Sequence, residues 1–88
     1  AAAAARVPDG VLVESANRIG PALSARARVL LWDERPRGAP WVVADVERRT
    51  FPFRSLADQR RRVDALIASG YREVFRAGGY VVLHRPER

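Results

Sequence analysis

Three short apolar runs, Val11–Ala16, Arg28–Asp33 and Trp41–Val46, follow one another through the first half of the chain, and each closes on polar residues. A strand covered on both faces reads as a continuous apolar run, whereas a half-exposed strand alternates. The runs therefore predict strands of a sheet, the third a buried central one, joined by connections that cross from the end of one to the start of the next. Between the first two, Asn17 offers a cap residue and Pro21 a residue pre-set for a first helical turn, so a short helix over Pro21–Ala27 is expected, with Leu23 inward. Between the second and third, Glu34–Pro40 carries two prolines and a glycine and reads as a loop.

The second half is punctuated differently. Ser55-Leu56-Ala57-Asp58 resembles a capping box with Asp in place of Glu, and Leu56, Val63, Leu66 and Ile67 fall on one helical face before Ser69-Gly70 stops the turn. Tyr71–Arg76 alternates apolar and charged, as an edge strand does. Tyr80–Leu83 is apolar on both faces and should lie inside, joined to it by a hairpin at Ala77-Gly78-Gly79. Glu47–Arg54, with Pro52 between two phenylalanines, is irregular and is expected to fold back over the sheet edge.

Right-handed crossovers place the second strand beside the first, and the third on the first strand's other side. The expected fold is α/β: a small Rossmann-like half-domain whose mostly parallel five-stranded sheet has the order 2-1-3-5-4, strand 5 antiparallel, with helices on its faces. Residues 1–10 are expected to be a linker or the end of a connecting helix, and residues 11–88 one α/β domain.

A chain of 88 residues supports one core, and eleven valines among 48% hydrophobic residues supply it without a metal or disulfide staple. With no cysteine, disulfides and thiolate metal sites are excluded. No run approaches the ~20 apolar residues that cross a bilayer. All sixteen positive charges are arginine, which with abundant alanine reads as a GC-rich coding bias. The net charge of +6 favours association with phosphates, anionic headgroups or acidic proteins.

Ligands of open α/β sheets bind beyond the carboxyl ends of the parallel strands, which here carry Ser15 and Asn17, Asp33 and Glu34, and Asp45. The bland reading has Asn17 capping a helix and the aspartates satisfying loop backbone groups. A dinucleotide or P-loop site is excluded, because the turn after the first strand holds only Gly20 where a backbone cradle needs several glycines. His84 is the only histidine, with no serine or acid placed by sequence to complete a nucleophilic triad, and should sit on a strand face. Asp33, Glu34 and Asp45 have the oxygen ligands of a hard-cation site, yet in so arginine-rich a chain ion pairs are the expected use, and no metal or cofactor is assigned. Arg60-Arg61-Arg62 points in three directions around a helix, so nucleic acid is not the favoured partner.

The run Val7-Pro8-Asp9-Gly10-Val11-Leu12-Val13-Glu14-Ser15-Ala16-Asn17, then Gly20–Arg26, Val29-Leu30-Leu31-Trp32 and Ala39–Asp45, resembles the C-terminal soluble part of a bacterial family of predicted polytopic membrane proteins of unknown function, similar to GT-C membrane glycosyltransferases. The resemblance extends to Ser69-Gly70-Tyr71, Val74-Phe75 and Gly79–Leu83. It implies a parent with many transmembrane helices, a polyprenyl-phosphate sugar donor where that parent is an active transferase, and this domain displayed outside the cytoplasmic membrane. The GT-C catalytic acid lies in the membrane part, so no catalytic residue is carried onto this chain.

The expected function is thus a non-catalytic accessory domain that contacts the membrane-embedded part of the same polypeptide or an acceptor glycan. Asn17, Trp32, Asp33, Trp41 and Asp45 are its candidate ligand-binding residues, since amides, carboxylates and indoles suit sugar hydroxyls and ring faces. Both tryptophans are equally readable as core. The alternative is a free-standing basic module that binds an anionic surface, nucleic acid or lipid headgroups.

Overall fold

The computed structural model describes residues 2–86. Its elements are α1 (Ala2–Ala5), β1 (Leu12–Ser15), α2 (Gly20–Leu23), β2 (Arg28–Leu31), β3 (Trp41–Asp45), α3 (Leu56–Ala68), β4 (Arg72–Ala77) and β5 (Tyr80–His84). They form one five-stranded sheet of order β2-β1-β3-β5-β4, the order expected from the sequence.

The sheet is mixed rather than mostly parallel: β1 pairs parallel with β2 and β3, but β5 pairs antiparallel with both β3 and β4. The cause lies in the hairpin. Gly78 and Gly79 both take positive φ (62° and 85°), the conformation of a tight primed turn that can only reverse the chain. Inserting β5 between β3 and β4 replaces a parallel contact with two antiparallel ones. Val81, Val82 and Leu83 are fully buried, as the two-sided apolar run requires.

Which helix covers which face follows from register. Val13 and Glu14 are neighbours in β1 and point to opposite faces. Val13 pairs with Val29, against which Gly20 of α2 packs, while Glu14 lies near Arg62 of α3. The Val13 face also carries Phe75, since Phe75 pairs with Val82, Val82 with Val43, and Val43 shares the face of Trp41, the partner of Val13. Arg6 stacks over the Phe75 ring at 4.2 Å, so α1 and α2 share one face and α3 takes the other.

The opening residues contribute to the core: Ala3, Ala4 and Val7 are buried in it. The Arg26 guanidinium fastens them, donating to the Val7 and Ala4 carbonyls and pairing with Asp9.

Three local expectations change. The helix expected over Pro21–Ala27 is a single turn, Gly20–Leu23, with Pro at its start. Its N-cap is Ile19 with no side-chain bond, so Asn17 does not cap it. On α3 the inward face is Gln59, Val63 and Leu66, while Ile67 is 42% exposed. Ser55 caps α3 as the capping-box pattern predicts, its hydroxyl accepting from the Asp58 N–H at 3.1 Å. Of the two phenylalanines around Pro52, Phe53 is buried and Phe51 is 60% exposed.

Candidate functional site

The β2–β3 connection carries no helix. Residues 32–40 instead run as an extended strap across β1, from its carboxyl end back to its amino end, on the face that α3 covers. Charged side chains hold it there. Glu14, on β1 beside the edge strand β2, accepts the Ala39 N–H at 3.1 Å through Oε2. Tyr71 donates its hydroxyl to the Ala39 carbonyl at 2.5 Å, so both backbone polar groups of this buried alanine are satisfied. Arg62 of α3 donates through Nε to the Asp33 carbonyl at 3.3 Å, and Arg85 donates to the Gly38 carbonyl at 3.0 Å.

The Asp33 carboxylate folds the start of the strap on itself. One oxygen accepts the Arg35 N–H at 2.8 Å and the other pairs with Arg37 at 2.7 Å. Partial burial raises its pKa, but the hydrogen bonds from Arg37 and Arg35 outweigh that and hold it below the ordinary aspartate value. Glu14 is the opposite case. Burial pushes its pKa up, and the Ala39 N–H and the charges of Arg62 and Arg37 offset this only in part. Burial likewise raises the Tyr71 phenol against the opposing charge of Arg85.

Three polar atoms of the strap and its supports are buried without a partner: Glu14 Oε1, Arg62 Nη2 and Trp32 Nε1.

The five residues singled out from sequence scatter around the strap. Asn17 is exposed in the turn after β1. Trp32 is fully buried, its ring 4.3 Å from Phe53 at 44°. Asp33 belongs to the strap. Asp45 is fully buried and caps the following turn, accepting the Glu47 and Arg48 N–H groups at 2.9 and 2.8 Å, with the Arg48 guanidinium at 3.4 Å. Trp41 starts the same strand that Asp45 ends, roughly 13 Å away at ~3.3 Å per residue. There it stacks on His84, the ring centroids 4.1 Å apart. Asp33 and Asp45 follow strands separated by β1, about 10 Å apart by strand spacing.

Glu14, Arg62 and Tyr71 were not among the sequence candidates. Glu14 did leave a signal: a carboxylate inside a two-sided apolar run must be buried, and a buried carboxylate needs donors brought to it. Arg62 lay hidden in a run of three arginines, of which it alone reaches the strap.

Chemically, the arrangement is a hydrogen-bonded clamp. Among the described residues no three His, Cys, Asp or Glu side chains gather as a metal site, and no side chain hydrogen-bonds to His84. No helix of the described chain is long and apolar enough to cross a membrane. Comparison with family models, curated proteins and solved structures found no match.

Proposed function

We propose that the chain is a non-catalytic accessory domain of a membrane glycosyltransferase-like protein, held on the extracytoplasmic side, where it contacts the membrane part or an acceptor glycan. Its sequence resemblance supports the setting. The observation that supports the non-catalytic role is the engagement of the strand-end acids: Asp45 is buried under two N–H groups and Arg48, and Asp33 is held by Arg37 and the Arg35 N–H. Carboxylates held in this way are turn and strap fasteners, not general acids or bases aimed at a substrate. In this reading glycan contacts fall to Asn17, Asp33 and Trp41, since Trp32 and Asp45 are buried. We also read β2-β1-β3 with α2 as a Rossmann-like half, supported by its two parallel pairs.

The test is the coding frame upstream of Ala1. Several apolar helices encoded in the same frame are expected; a start codon directly ahead of Ala1 would overturn the reading.

A second reading, a basic module on an anionic surface, rests on the net charge of +6 and not on a basic face of the sheet, since the exposed Arg28 and Arg72 stand on the opposite edge strands β2 and β4. Salt separates the two. Binding to phosphates weakens steeply with salt through counterion release, whereas recognition of a neutral glycan barely responds.

A further inference from the structure

Phe51 is 60% exposed, more than any other large hydrophobic side chain of the described residues. The turn beneath it is firmly seated. Thr50 is buried, its N–H accepted by Gln59 Oε1 at 2.8 Å, and Phe53 is buried with its ring 4.3 Å from that of Trp32. The Phe53 N–H returns to the Thr50 carbonyl at 3.0 Å, so the residues on either side of Phe51-Pro52 face inward while Phe51 is held outward. The loop is also basic: residues 48–57 contain Arg48, Arg49 and Arg54 and no acid. Arg48 is paired with Asp45 and donates to the Gly78 carbonyl. Arg49 and Arg54 are exposed and belong to no ion pair among the described residues. Arg49 Nη1 donates to the Phe53 carbonyl at 2.7 Å, which keeps its charge over the turn.

The chemistry selects the partner. The Phe51 side chain has no polar atom, so its partner offers an apolar layer, and the guanidinium groups that flank it call for anions at the margin of that layer. The headgroup region of an anionic bilayer supplies both, phosphates outside and acyl chains directly beneath. A folded protein partner is less well matched, because the other exposed apolar side chains lie elsewhere: Ile67 is ~16 Å along α3 from Leu56, and Val74 is on the edge strand β4. Single-stranded nucleic acid stacks on successive aromatic platforms, and here the second phenylalanine is buried. We propose that residues 49–54 are a lipid contact, in which Phe51 enters the apolar margin of an anionic bilayer and Arg49 and Arg54 hold its phosphates. This names a partner for the second reading, on which it rests, and agrees with the first, which sets the domain beside a membrane.

Co-sedimentation of the intact chain with vesicles tests this, at low salt and with lipid in excess because one aromatic anchor gives a weak contact. The chain is expected to sediment with vesicles of mixed phosphatidylglycerol and phosphatidylcholine and not with phosphatidylcholine alone. Phe51→Ala, at an exposed position, should stay folded and bind about tenfold or more weakly. Arg49→Gln combined with Arg54→Gln should also lose about tenfold, whereas Arg28→Gln with Arg72→Gln takes the same charge from the other end of the sheet and should lose less than about threefold. In Phe51→Trp, vesicles with brominated acyl chains should quench fluorescence beyond the quenching of the native chain. No sedimentation with anionic vesicles overturns this proposal and the second reading together. Binding that Phe51→Ala leaves unchanged, equal losses in the two arginine pairs, equal sedimentation with phosphatidylcholine alone, or no added quenching overturns this proposal by itself. A single-stranded oligodeoxynucleotide bound with the same dependence on Phe51 would assign the loop to nucleic acid and overturn the lipid.

Discussion

The Glu14 carboxylate and the Ala39 N–H meet at 3.1 Å across 25 residues of sequence, fixing the far end of the strap to β1. One buried acid therefore decides where a helix-free crossover lies. Because its pKa is raised by burial, the same acid makes stability depend on pH.

The sign follows from proton counts. Between the ordinary glutamate value and the raised one, the folded chain holds a proton on Glu14 that the unfolded chain has released. Stability from this group is therefore highest below the ordinary value and falls as pH rises through that window. Glu14→Gln keeps the acceptor for Ala39 without the charge, so this decline should vanish and the variant should gain on the native chain as pH rises to neutral. Urea midpoints of both proteins across the acid range read the difference. Superimposable pH profiles would show that burial of Glu14 has no energetic consequence. Asp33 and Glu73 act in the other direction: both are held below their ordinary values, Asp33 by its bonds to Arg37 and Arg35 against partial burial, Glu73 by Arg76. Their contributions are lost as pH falls, equally in both proteins.

Phe51 and Phe53 flank the same proline but predict opposite outcomes. Phe53 is 1% exposed against Trp32, so Phe53→Ala should cost about 3–5 kcal/mol by creating a cavity in the core. Phe51 is mostly exposed, and Phe51→Ala should change stability by no more than about 0.5 kcal/mol. Chemical denaturation of the two variants compares them; similar losses would mean that the 51–53 turn is seated differently.

Ser55→Ala removes the hydroxyl that accepts the Asp58 N–H, an α3 donor with no intrahelical partner. The expected loss is ~1 kcal/mol, with Ser55→Asp close to native because a carboxylate caps equally well and favours the helix N-terminus. A loss in Ser55→Asp as large as in Ser55→Ala would show that the cap bond is not the source.

These sites differ in how plainly sequence announces them. The strand order was legible because apolar runs, a right-handed crossover and a glycine hairpin each leave few choices. The cap at Ser55 was legible because capping is local. Parallel content was overestimated because an antiparallel β5 between β3 and β4 makes two of the four strand pairs antiparallel, so the order itself already implied a mixed sheet. The inward face of α3 was misjudged at Ile67 because an apolar residue near the stripe is taken for core, while the buried Gln59 is polar and leaves no mark in an apolar pattern. The strap was legible only as a loop. Its fastening depends on Glu14, Tyr71 and Arg62, far apart in sequence, and no local pattern joins them.

Gln59 is the clearest example of such a fastening between segments. The side chain is fully buried on α3, and it serves three backbone groups of the segment after β3. Its Oε1 accepts the Thr50 N–H at 2.8 Å, and its Nε2 donates to the Asp45 and Arg48 carbonyls at 2.9 and 2.8 Å. One amide thus replaces the regular hydrogen bonding that residues 45–50 lack. Gln59→Leu fits the volume but deserts three backbone groups, and leaving a buried polar group unpaired costs about 1–3 kcal/mol each. The expected loss is on the order of 3 kcal/mol or more, although the substitution makes the helix face more apolar. Gln59→Glu keeps the acceptor for Thr50 and loses both donors as a carboxylate, so it should also destabilise, less at acid pH where a protonated carboxyl can again donate. Urea denaturation at two pH values measures both variants. A Gln59→Leu protein as stable as the native chain would mean that apolar packing outweighs the three backbone bonds.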